Sequence, residues 1–145
     1  RYREIKTCLR LEQYVIDDSW KNGRMMMTRL RSGTNELEIE SGRWIGKMVE
    51  DRVCRICHSG SVEDEPHIID ICSMYNGRRN RVWRDIEYST HGRVKRRNDG
   101  SDWKSVLLSD VVQSRGAESD RRSIIPFVKQ YCQWVATIRK DMSSL

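Results

Sequence analysis

The sequence predicts a mainly α fold, a small helical domain built around a zinc-binding CCHC knuckle. Three observations lead there. Apolar residues recur at helical spacing near both ends of the chain and again after Cys72. Three cysteines and a histidine fall within nineteen residues, in the order Cys54, Cys57, His67, Cys72. The 145 residues are 37% hydrophobic and 33% charged, too polar a mixture for a large core yet too rich in Trp and Tyr, five of each, for disorder. A chain of this length suits one compact domain, and a small core calls for a staple. We expect residues 1–145 to form a single zinc-binding domain. Helices are expected in 1–33, a loop and the metal site in 34–72, a basic helix and loop in 73–97, and helices again in 102–142.

Ile5, Cys8, Leu9, Glu12, Val15 and Ile16 lie near helical spacing and predict an amphipathic helix that ends near Asp17 and Asp18. Asp18 or Ser19 can cap the next helix, which runs through Trp20, Arg24, Met27 and Leu30. Arg29 and Arg31 fall in its last turn and Gly33 just past its end. The run Met25, Met26, Met27 reads as core filler plus exposed helix surface. Over 34–40, Leu37 and Ile39 alternate with Glu36, Glu38 and Glu40, which predicts a structured loop or a very short strand.

Tyr75, Arg79, Val82, Trp83 and Ile86 form an apolar stripe on a basic helix whose outer face is arginine. A mobile basic loop is expected over 90–101. A short helix follows from Trp103, Val106, Leu107, Val111 and Val112, then a polar linker over 113–120. Ile124, Phe127, Val128, Tyr131, Trp134, Val135 and Ile138 predict the clearest helix, with Pro126 in its first turn and Arg139 and Lys140 at its end.

Cys54 and Cys57 stand two residues apart, a spacing that lets both sulfurs of a tight turn reach one ion. With His67 and Cys72 they complete a C-x2-C-x9-H-x4-C set. Three thiolates and an imidazole suit a closed tetrahedral zinc site of structural type, with no position left open for water. Asp64 can cap a helical turn that opens with Glu65 and Pro66 and carries His67. Five residues on an α-helix rotate by about 140°, so that turn must loosen or end near Cys72 for both ligands to meet one ion. His58, adjacent to Cys57, is the weaker candidate. His91 reads as solvated, and Cys8 and Cys132 as small buried hydrophobes.

The net charge is +6, and about +5 once three thiolates and one Zn2+ are counted. Charge is segregated along the chain. Residues 73–97 hold Arg78, Arg79, Arg81, Arg84, Arg93, Lys95, Arg96 and Arg97 against Asp85 and Glu87. Residues 59–72 hold Glu63, Asp64, Glu65 and Asp70 with no Lys or Arg. The basic stretch makes RNA or DNA the expected partner, met at its phosphates. Five cysteines, an odd count, do not suggest a secreted disulfide framework, so an intracellular setting, nuclear or cytoplasmic, is expected. No apolar run approaches the roughly 20 residues that span a bilayer, and no signal peptide opens the chain. The first residue is Arg1, not Met, and we expect a segment of a longer protein. Scattered Ser, His and Asp residues form no triad, and polymerase and nuclease motifs are absent, so no catalytic activity of its own is expected.

The motifs Leu30-Arg31-Ser32-Gly33, Leu37-Glu38-Ile39-Glu40-Ser41-Gly42-Arg43, Arg52-Val53-Cys54-Arg55-Ile56-Cys57 and Val62-Glu63-Asp64-Glu65-Pro66-His67 follow one another, with Cys72 before Tyr75. This order and spacing resembles the zinc-binding segment at the C-terminal end of reverse transcriptases of LINE-like, non-LTR retrotransposons, from about residue 27 to residue 84. The resemblance implies Cys54, Cys57, His67 and Cys72 as metal ligands. It also implies an accessory module that helps a polyprotein hold template RNA or target DNA beside its other domains. The nine residues between Cys57 and His67 set it apart from the shorter retroviral nucleocapsid knuckle. The alternative reading is a zinc-stabilised protein-interaction or scaffold domain, to which the acidic strip Glu36, Glu38, Glu40 and the aromatic Trp44 would be suited.

Overall fold

The computed structural model describes residues 13–16, 18, 20–97 and 118–142, and the helices come in the order α1 (Gln13–Ile16), α2 (Lys21–Ser32), α3 (Glu38–Trp44), α4 (Asn76–Ser89) and α5 (Glu118–Met142). The mainly helical class is as expected. Among the described residues there is no strand, and an isolated antiparallel bridge joins Val53 to Val62. The expected helices over 5–12 and 103–112, the core position of Cys8, the cap at Ser19 and the linker over 113–117 lie outside the described residues.

Helix α5 is the spine. Ile124, Val128, Tyr131 and Val135 recur at helical spacing and are buried, with Cys132 beside them. Phe127, Trp134 and Ile138 pack half-buried against the same core. The helix lies against α2, α4 and α1, most extensively against α2. Met26, Met27 and Leu30 come from α2, and Val82, Trp83 and Ile86 from α4 with Tyr75 just before it. Each such side chain stabilises the fold by about 1.5–3 kcal/mol relative to exposure. Met25, on the opposite side of α2, is exposed, as expected for the outer part of the methionine run. At the crossing of α2 and α5, Gly23 faces the backbone of Lys129 so closely that a Cβ would stand 1.8 Å from the Lys129 carbonyl oxygen.

Gly33 ends α2 in the left-handed region at φ 68°, where its N–H and that of Thr34 both donate to Arg29 O. Arg31, in the last turn, is buried with its guanidinium 5.0 Å from the ring of Tyr14, tying α1 to α2. The start of α2 differs from expectation. Trp20 occupies the cap position with φ 50° and no side-chain cap, while Asp18 reaches Arg24 at 3.9 Å in an exposed ion pair.

Two further expectations are corrected. Residues 34–40 are neither loop nor strand throughout, because α3 begins at Glu38. Asn35 Oδ1 accepts the Leu37 N–H at 3.0 Å, and Glu63 Oε2 accepts the Glu38 N–H at 2.9 Å, so a carboxylate 25 residues away caps this helix. Pro126 lies well inside α5 instead of in its first turn, because the helix starts at Glu118. The alternating glutamates are not an acidic face. Glu38 and Glu40 are buried, Glu38 against Lys47 and Arg55 and Glu40 against Arg43, and only Glu36 is exposed, paired with Arg29. Among the described residues no helix is long and apolar enough to cross a membrane.

Candidate metal centre

The bridge between Val53 and Val62 is extended by Cys54 N–H to Ser61 O at 2.9 Å and by Glu63 N–H to Arg52 O at 2.8 Å. These bonds pinch a loop whose turn carries Cys54 and Cys57. The other two candidate ligands come from a helical turn entered at Glu65 and Pro66, with Asp64 Oδ1 accepting the His67 N–H at 2.8 Å as the expected cap. That turn does loosen. Residues His67–Ile71 form a π-helical turn, closed by Cys72 N–H to His67 O at 2.6 Å. An i→i+5 turn carries more residues per revolution than an α-turn, so it brings residues five apart back toward one side.

The result is a cluster. One donor atom from each of Cys54, Cys57, His67 and Cys72 lies within 4.8 Å of the other three, and Cys57 Sγ stands 3.3 Å from His67 Nε2. A tetrahedral ion with metal–sulfur bonds near 2.3 Å holds its sulfurs roughly 3.8 Å apart. The four donors are therefore gathered at the scale such an ion requires, and the residues fit a metal. Cys54, His67 and Cys72 are buried and Cys57 half-buried. His67 Nδ1 is also buried and has no hydrogen-bond partner among the described residues.

Burial pushes the Cys54 thiol up to about 12, the charge of Glu63 adding to it, and burial likewise raises Cys72. Desolvation is the largest single influence on Cys57 and raises it, but hydrogen bonds with Ser59, Cys54 and His67 together outweigh it and bring the thiol down to about 6. Two of the three thiols thus hold their protons at neutral pH without a cation to replace them, and a bound metal supplies that countercharge. His58 and His91 are exposed, both at left-handed φ, and stand outside the cluster, as expected. Cys132 is buried in the helical core, with its thiol pushed up to about 12 by burial.

The acidic run before the basic helix proves to be internal wiring. Glu63 is 1% exposed. It caps α3, faces Cys54 Sγ at 3.5 Å, and forms a short ion pair with Arg139 of α5. Glu65 accepts from Asn35 Nδ2 at 3.0 Å, and Asp64 is the cap already described. Two links between α5 and this region carried no sequence signal. Tyr131, which reads as a core aromatic, donates its hydroxyl to Ile68 O at 2.5 Å, and Arg139, which reads as a helix-end charge, also donates to Glu36 O at 2.6 Å.

The basic residues divide. Arg78, Arg81 and Arg84 lie on the exposed side of α4, opposite Val82, Trp83 and Ile86, and the guanidinium of Arg78 sits 4.3 Å over the ring of Trp134. Arg93, Lys95 and Arg97 are exposed in the segment after α4, and Arg96 is half-buried, donating to Asn80 Oδ1 at 2.9 Å. Arg79 is a correction. It is 3% exposed and donates to Ile69 O at 3.1 Å and Cys72 O at 2.6 Å, so its guanidinium serves the backbone of the ligand-bearing turn and is not presented to a phosphate. Tyr75 and Trp83 pack inward, as expected. No protein-family model, curated protein or solved structure matches the chain.

Proposed function

We propose that Cys54, Cys57, His67 and Cys72 hold one structural zinc ion and that the domain so stapled is a non-catalytic nucleic-acid-binding module. Thiolate and imidazole donors in a complete set of four favour zinc over harder cations and leave no open coordination position for catalysis. The expected metal content is one zinc per chain, lost in Cys57→Ser and retained in His58→Ala. Elemental analysis of untagged protein checks it, and a content near zero in the parent protein defeats the assignment.

The observation that carries the nucleic-acid reading is the outward row Arg78, Arg81 and Arg84 on a helix seated against the metal turn, followed by exposed Arg93, Lys95 and Arg97. A fixed row and an adjoining basic segment suit phosphates better than base edges, so sequence preference should be weak. Its fit with the resemblance to the CCHC segment of LINE-like reverse transcriptases supports the same reading, in which template RNA or target DNA is held beside other domains of a polyprotein. An intracellular setting, nuclear or cytoplasmic, accords with thiols kept reduced for a metal.

The test is binding to mixed-sequence RNA and DNA across a salt series. Removing one arginine that meets a phosphate lowers the slope of log affinity against log salt by about 0.9 on duplex DNA and about 0.7 on single strands. Arg78→Glu, Arg81→Glu and Arg84→Glu combined should therefore flatten the slope by about 2 to 3 while zinc content stays at one. Equal slopes for the two proteins would move the weight to a protein partner. That second reading rests on the exposed strip of Trp44 (79%), Ile45 (71%), Met48 and Val49, since so many neighbouring apolar residues facing solvent mark a surface suited to another chain.

A further inference from the structure

Helical turns end with carbonyls that have no donor within the helix, and in a buried place something else must satisfy them. The turn that carries His67 and Cys72 is such an end. Its carbonyls are met by side chains from two other helices: Tyr131 of α5 donates to Ile68 O at 2.5 Å, and Arg79 of α4 donates to Ile69 O at 3.1 Å and to Cys72 O at 2.6 Å. Ile68, Ile69, Cys72, Arg79 and Tyr131 are all buried, so water does not replace these bonds cheaply. The other half of the site is held in the same way. Arg139 of α5 pairs with Glu63, whose Oε1 stands 3.5 Å from Cys54 Sγ.

We propose that Arg79, Tyr131 and Arg139 are positioning residues of the metal centre, and that metal occupancy and the docking of α5 are consequently one coupled equilibrium. The inference rests on the metal reading above and adds a control to it. Arg79 fixes the peptide from which the Cys72 side chain leaves, and Tyr131 fixes the turn between His67 and Cys72. Arg139 holds in place the Glu63 carboxylate whose Oε1 stands 3.5 Å from the Cys54 sulfur, and so fixes what that ligand faces. Two of the three belong to α5, so displacing that helix removes supports from both pairs of ligands at once. Linkage is reciprocal: whatever loosens α5 loosens the metal, and loss of the metal loosens α5 by the same factor. A partner that competes for the inner face of α5 would thus release the ion.

The experiment uses the full chain loaded with Zn2+ or with Co2+ as a spectroscopic stand-in, and competes the metal against a chelator of known affinity. Residues that orient metal ligands typically change affinity by about 10- to 100-fold when removed. Tyr131→Phe and Arg79→Met are expected to weaken zinc within that range and to shift the thiolate–cobalt absorption bands, with Arg79→Lys restoring part of the loss. Thr137→Ala removes an exposed hydroxyl of α5 that, among the described residues, bonds only to Gln133 O of the same helix, and should leave metal affinity unchanged. Tyr131→Phe keeps the ring that meets Tyr75 edge-on at 6.5 Å, so it carries the test even if the Arg79 variants fail to fold. Amide exchange over 124–138 should accelerate when the metal is removed. A wild-type protein that binds one metal, with Tyr131→Phe equal to it in affinity and cobalt spectrum, overturns this coupling and leaves the metal site standing. A wild-type protein that binds none overturns both.

Discussion

Stripping the proposed zinc ion with a strong chelator, or replacing Cys72 with serine, is expected to unfold residues 52–72 and to bring down the helices docked on them. A structural zinc site contributes about 10–16 kcal/mol of apparent folding free energy in small zinc-dependent peptides. A whole domain is ordinarily stable by about 5–15 kcal/mol, so the loss rivals everything else that holds this one together. The segment has little to fall back on. Ile71 is exposed, leaving Ile56, Ile68 and Ile69 as its buried aliphatic residues. Without the ion, three sulfurs and an imidazole remain crowded within 4.8 Å, and burial raises two of the thiols, Cys54 and Cys72. Far-UV circular dichroism and the thermal midpoint, measured with and without chelator, read the effect directly. An unchanged midpoint would make the cluster peripheral to stability.

Gly23→Ala is expected to destabilise the protein by about 3 kcal/mol, the upper part of the range for overpacking a close contact. Helix propensity alone argues the other way, since alanine in a helix interior is favoured over glycine by about 1 kcal/mol. The contact decides the sign. The added Cβ would stand 1.8 Å from Lys129 O and 2.6 Å from its carbonyl carbon, both backbone atoms of a helix that cannot turn aside as a side chain can. Either α2 and α5 separate, thinning the packing of Met26, Met27 and Leu30 on α5, or the backbone distorts. Urea or thermal unfolding measures the change. A neutral or stabilised Gly23→Ala protein would mean that the two helices do not approach this closely.

Much of the helical architecture was legible because helices announce themselves locally. Met26, Met27 and Leu30 in α2, Val82, Trp83 and Ile86 in α4, and Ile124, Val128, Tyr131 and Val135 in α5 repeat at 3.6-residue spacing and are the residues found buried. Gly33 marked the end of α2 because the left-handed turn there suits glycine best. Helix α3 was missed because its start depends on the carboxylate of Glu63, and a cap supplied from 25 residues away leaves no pattern in 34–40 itself. The burial of Glu38 and Glu40 was hidden as well: Glu38 finds its counterions farther along the sequence, at Lys47 and Arg55, and Glu40 meets Arg43 one turn on only once α3 has formed. Arg79 shared the basic row of Arg78 and Arg81, and nothing in that row distinguishes an arginine facing water from one facing carbonyl groups.

The sequence by itself determined the helical class and the identity of the four candidate ligands, since ligand chemistry and spacing are properties of the chain. It even required that the turn between His67 and Cys72 depart from α geometry, because about 140° of rotation would otherwise separate them. Only the tertiary structure decided how that departure is held. The π turn leaves its polar groups to be satisfied by Arg79 and Tyr131, and the charge of Glu63 is met by Arg139 from 76 residues away. Such long-range bonds answer a demand to pair buried polar atoms, and residues so far apart become partners only when packing brings them together.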